Sequence, residues 1–149
     1  MALANRSPKQ AADSGVEITL IDPVTDLPLN ERITVYGLDS KVCKDIQHRQ
    51  TNNRLEKQAQ KGNRKKPITT AEAMEADGLD LLVGCTKSWR TIVKDEAGKE
   101  TGDRPEIELG EGEWLPCTPE NARRVYEEVP WIKEQVDSAI GDRSNFLPS

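Results

Sequence analysis

An apolar residue at every fourth position, Ile132, Val136 and Ile140, set between Pro130 and Gly141, leaves the end of this chain one regular solution. The spacing predicts an α-helix over about 130–141 with all three side chains stacked on one face. Lys133, Glu134, Asp137 and Ser138 take the other side, and Gly141 supplies a stop. Trp131 joins the apolar set, and beyond the stop come Phe146, the only phenylalanine, and Leu147. Termini fray unless something ties them down. The six anchors Trp131, Ile132, Val136, Ile140, Phe146 and Leu147 are therefore expected either to dock on the body of this chain or to offer a surface to a partner.

At 149 residues the body is expected to be a single domain over 15–149, preceded by a small, polar, flexible leader over 1–14. Only 35% of residues are hydrophobic and 32% are charged, so the core is lean and the surface crowded with charge. No run approaches the roughly 18 apolar residues of a membrane helix, and the first residues lack a signal-peptide core. A soluble, cytoplasmic protein is the expectation. Cys43, Cys85 and Cys117 are odd in number and far apart, so neither a disulfide framework nor a zinc site is expected.

The formal net charge of -5 conceals a segregation. Residues 41–66 hold nine Lys or Arg against two acids, whereas residues 67–149 hold nine against eighteen. Such asymmetry suits nucleic acid, and it equally suits head-to-tail contact between copies. Lys41, Lys44, Arg49, Arg54 and Lys57 are the candidates for charge-mediated self-contact.

Along the chain, Val16, Ile18 and Leu20 alternate with Glu17 and Thr19, and Ile33 and Val35 alternate with Thr34 and Tyr36. Both stretches have the period of a half-buried strand. The turn-rich residues 22–28 between them predict an antiparallel hairpin. Asp39 or Ser40 then caps a helix over about 41–60, followed by a basic loop over 62–67. Thr69 with Glu72 forms a capping-box pattern for a second helix, whose stripe is Met74, Leu81, Leu82 and Cys85. Trp89 and Ile92 are expected in the core. Residues 94–113 are acidic and glycine-rich, which predicts a loop, with a short strand pair at 90–94 and 105–109 as the alternative. Thr118 and Pro119 open a third helix that buries Val125 and Tyr126.

No motif for catalysis emerges. His48 stands about 140° around a helix from Cys43, so the two do not form a nucleophilic pair within it. There is no nucleophile elbow, phosphate loop or dinucleotide fingerprint, and the acids of 95–113 lack calcium-ligand spacing. No catalytic, cofactor or metal residue is assigned. The basic run contains none of the aromatic platforms that single-strand and RNA binders interleave with charge, so nucleic acid is not the expected partner.

Taken in order, Val35-Tyr36-Gly37-Leu38-Asp39-Ser40, the charged helix, Leu81-Leu82-Val83-Gly84-Cys85-Thr86-Lys87-Ser88-Trp89, Cys117-Thr118-Pro119-Glu120-Asn121, Trp131-Ile132-Lys133-Glu134-Gln135-Val136 and Asp142-Arg143-Ser144-Asn145-Phe146-Leu147 resemble the tail assembly chaperones of long-tailed bacteriophages. The resemblance runs from about residue 16 to the end. It implies an α+β, mainly α-helical fold, with an N-terminal antiparallel β-hairpin packed on a bundle of about four helices, and no enzymatic role. Its partners would be the tape measure protein, which the family coats and keeps soluble, and the tail-tube protein that replaces it. Copies of the chain, and a form extended by ribosomal frameshifting, are further partners in that family. The protein would act in the host cytoplasm and be absent from the mature particle. Two other readings stay open: a structural tail or head-tail component kept in the virion, and a DNA-binding accessory protein.

Overall fold

The computed structural model describes residues 3–60 and 71–147, with the side chains of Gln58 and Gln60 left aside. The expected hairpin is present as β1 (Val16–Ile21) and β2 (Pro28–Val35). Val16 faces Val35, and Ile18 faces Ile33 in antiparallel register. One face of the hairpin is therefore continuous apolar surface. It does not stand alone against helices. Strand β3 (Thr86–Lys94) pairs with β2, and β4 (Glu100–Arg104) pairs with β3, so the sheet has four antiparallel strands in the order β1-β2-β3-β4. A separate hairpin, β5 (Glu106–Gly110) with β6 (Glu113–Pro116), follows.

The acidic segment is thus a correction to the expected loop. Ile107 and Leu109 alternate with Glu106 and Glu108, and a strand exposes its acids on one side while burying its apolar residues on the other. The alternative strands at 90–94 and 105–109 are both present, within β3 and β5, but they do not pair with each other, because β3 is flanked by β2 and β4 and β5 takes β6 as its partner.

Helices α2 (Lys41–Gln60) and α3 (Ala71–Cys85) form an insertion between β2 and β3. The Thr69 cap and the basic loop lie outside the described residues. Helix α4 (Pro119–Glu128) begins as expected: the Thr118 hydroxyl accepts from Asn121 N–H at 3.2 Å, and proline fills the first turn. Helix α5 (Pro130–Gly141) follows almost at once and packs against β1 and β2, while α3 packs against α4 and α5. Leu20, Ile33, Val35, Trp89, Val125, Tyr126 and Val136 are buried in one cluster with the inner sides of these helices.

The end of the stretch assigned to a flexible leader reaches this core through Ala12, with Ala11 packed against it. Helix α1 (Lys9–Ser14) ends at Gly15, whose φ of +90° only glycine adopts without strain. Ala12 is fully buried, its carbonyl accepts from Gly37 N–H at 3.2 Å, and Asp13 accepts from Lys41 N–H at 2.7 Å. Sequence pattern does not announce α1, because a six-residue helix anchored by a single buried alanine has no apolar periodicity. Gly37 makes the contact possible. A Cβ there would lie 2.8 Å from Ala12 Cβ and 3.1 Å from the Phe146 ring. Gly37→Ala should therefore lose about 1–3 kcal/mol of stability by overpacking, read as a lower midpoint in urea with an unchanged slope.

The cysteines give a second correction. Cys43 and Cys85 are joined by a disulfide, with Cα atoms 5.9 Å apart across a sequence separation of 42. Linear spacing argued against it, but α2 and α3 fold back on one another and bring their roots together. Gly84 leaves the space that the Ile46 side chain fills beside the bond.

Candidate functional site

The six terminal anchors divide. Ile132, Val136, Ile140 and Phe146 are buried in the protein's own core, whereas Trp131 is half-buried and Leu147 is 41% exposed. The terminus is tied down by Arg143, whose guanidinium donates to Asp39 at 2.7 and 3.1 Å and holds that carboxyl below its usual range. Asn145 Nδ2 also donates to the Ala139 carbonyl at 3.1 Å. Docking on the chain's own body accounts for most of this face.

Trp131 and Ile132 instead help to line an apolar cleft of about 270 Å³, together with Leu20, Leu29, Ile107 and Leu109. The cleft exists because the β5-β6 hairpin is fastened over the sheet. Trp89 Nε1 donates to the Leu115 carbonyl at 2.9 Å, and the Thr91 hydroxyl donates to the Glu106 carbonyl at 2.8 Å. Arg124 grips Glu113 at 2.9 and 3.1 Å, which fixes the same hairpin to α4. Glu31 and Glu108 line the cleft as well. A space of this size and lining suits one or two apolar side chains, and its carboxylates favour a cationic neighbour on the incoming segment.

The basic candidates Lys41, Lys44, Arg49, Arg54 and Lys57 are all exposed on α2. Their helix buries only Cys43 and Ile46 among its described side chains, so it is polar nearly all round. Part of its charge is met within the chain. Arg54 pairs with Asp77 of α3 at 3.3 Å, and Gln50 Nε2 donates to the Asp77 carbonyl at 2.8 Å. Arg123 of α4 pairs with Asp80 across the same polar groove of about 500 Å³. The two helices therefore neutralise one another in part. Lys41, Arg49 and Lys57 form no ion pair among the described residues, and Lys44 stays exposed while it adds to the positive field at Asp39.

Cys117 lies near the Tyr126 hydroxyl, while Cys43 and His48 stand on α2. Cys43 is bonded and His48 is exposed on α2. Burial pushes the Cys117 thiol up to about 11, so it stays protonated near neutrality. Burial also raises the Tyr126 hydroxyl, which is shared with Thr86. Among the described residues no three His, Cys, Asp or Glu side chains cluster as metal ligands, and no helix is long and apolar enough to cross a membrane.

No family model, curated protein or solved structure matches this chain. The residues and their geometry carry the functional argument.

The cleft was out of reach of sequence reasoning as a unit, because its walls come from β1, β2, β5, α4 and α5. The available signal was the alternation of Ile107 and Leu109.

Proposed function

We propose that this protein is a non-enzymatic tail assembly chaperone of a long-tailed bacteriophage, binding the tape measure protein and keeping it soluble until tail-tube subunits polymerise around it. The observation that supports this best is the apolar cleft at Trp131 on an otherwise highly charged chain. A helical client that exposes apolar residues before it is covered needs small apolar receptors on a soluble carrier, and contacts weak enough to be displaced. The part of the fold assigned to this role is the β1-β2 hairpin with helices α4 and α5 and the β5 strand that completes the cleft. Under this reading the protein works in the host cytoplasm, is absent from the finished virion, and meets the tube protein as its competitor. A frameshift-extended form of the chain would share the same cleft.

Lys41, Lys44, Arg49 and Lys57 would order neighbouring copies along the client against acidic surfaces, an attraction that salt screens. Sedimentation at low and high salt tests this part, since an unchanged oligomer size removes it. The main reading is tested by co-expression with the tape measure protein. Its solubility should depend on this chain and fall with Trp131→Ala. Mass spectrometry of purified particles and producing-cell lysate supplies the decisive comparison. Abundance in the lysate with absence from particles supports a displaced chaperone, and stoichiometric presence in particles makes the chain a structural tail or head-tail component.

A further inference from the structure

Strand β1 is an edge of the four-stranded sheet, and α5, which packs against both β1 and β2, reaches its backbone at Ile21. Edge backbone groups are open to pairing unless something occupies them. At Ile21 the occupant is a side chain. Gln135 of α5 accepts from Ile21 N–H at 2.9 Å and donates from Nε2 to the Ile21 carbonyl at 2.7 Å. One primary amide thus offers the same acceptor and donor that a residue of an adjacent antiparallel strand would offer. Ile21 lies opposite Pro28 in β2, a residue with no N–H to give.

Around this contact runs a groove of about 520 Å³ between the strand edge and the helix, lined by Ile18, Thr19 and Ile21 on one side and by Glu134, Gln135 and Ser138 on the other. Asp22 and Asp26 line it as well, and among the described residues no lysine or arginine does. The Asp22 carboxylate is held in place by Val24 N–H at 2.8 Å.

We propose that this groove takes an extended, basic peptide segment of another protein, which adds to β1 as a fifth strand and displaces the Gln135 amide from Ile21. Strand addition draws its affinity from main-chain hydrogen bonds and its selectivity from the flanking side chains. Exchange of one amide for another at Ile21 is close to neutral, because hydrogen bonds are replaced in kind. The gain comes from further pairing along β1 and from the three carboxylates facing a cationic ligand. The argument is independent of the Trp131 cleft and of any client bound there.

The test uses the full chain, labelled with 15N, and three hexapeptide probes: alternating Lys-Val, the same peptide N-methylated at alternate residues, and alternating Glu-Val. The Lys-Val probe should shift the Ile21 amide and the Gln135 side-chain NH2 resonances and bind about tenfold more tightly than the Glu-Val probe, a factor equal to about 1.4 kcal/mol. N-methylation should abolish the Ile21 response. Gln135→Ala, with the fold checked by circular dichroism, should strengthen Lys-Val binding several-fold by removing the competing amide. An Ile21 amide unmoved at saturation overturns the proposal, as does equal binding of the N-methylated probe, which would mean charge attraction alone. Concentration-dependent protection of Ile21 without peptide also overturns it, because a second copy would then own the edge. The wild-type comparison of the three probes stands even where Gln135→Ala fails to fold.

Discussion

Phe146→Ala should lower the unfolding free energy by about 3–5 kcal/mol, while Leu147→Ala should change it by no more than about 0.5 kcal/mol. The two residues are neighbours, and both are apolar anchors in the sequence. Their surroundings differ. Phe146 is 2% exposed and lies over Gly37 and Ala12, where α1, the turn after β2 and the last turn of the chain meet. Its removal opens a cavity that stiff neighbours cannot fill, since Gly37 has no side chain and Ala12 has one methyl. Leu147 is 41% exposed and loses little on truncation. Thermal unfolding of the two variants should separate them by on the order of 10 °C. Equal melting temperatures, with loss of a bound partner in both variants, would return Phe146 to the partner surface.

Reduction of the Cys43–Cys85 bond should lower stability by about 2–4 kcal/mol. Closing a sequence separation of 42 removes conformational freedom from the unfolded chain, and that constraint disappears when the thiols separate. Urea titrations of oxidised and reduced wild-type protein are the right comparison. Substitution by alanine would add a cavity cost, because both cysteines are fully buried. The same burial predicts slow reduction. A thiolate reagent must reach a sulfur, so the rate should follow opening of the α2-α3 root and rise with subdenaturing urea. A midpoint in urea that is the same with and without reductant would leave the bond without a stabilising role.

Local pattern carried much of this fold. The hairpin, α2, α4 and α5 stand where alternation, capping residues and a four-residue recurrence place them, and Thr118 caps α4 with the expected oxygen. What escaped was whatever depends on distant parts meeting. Strand β4, with the acidic sequence Glu100-Thr101-Gly102-Asp103-Arg104, has no strand propensity to speak of, and it is held by pairing with β3. On the outer side of the sheet Arg90 holds Glu17 at 2.8 Å and Asp103 at 3.1 Å, joining strands 73 and 13 residues away. That pairing holds the Glu17 carboxyl below its usual range. The candidate site follows the same division. Trp131 and Ile132 were legible as anchors, but the cleft they line needed β5, whose two inward residues are too few to announce a strand among so many acids.

The placement of α2 and α3 between paired strands has a consequence for variation in length. The backbone leaves the sheet at Val35 and re-enters it at Thr86, and these two residues face each other across the β2-β3 register. The ends of the insertion are therefore already in contact, and the disulfide ties Cys85, next to Thr86, to Cys43 in the first turn of α2. Whatever is added or removed beyond Gln50 and Asp77 leaves both strands where they are. Each doubling of such a loop costs only about 0.6 kcal/mol. The outer half of the helical pair is the place where this protein can change size and charge between variants while the sheet, the cleft and the docked terminus stay the same.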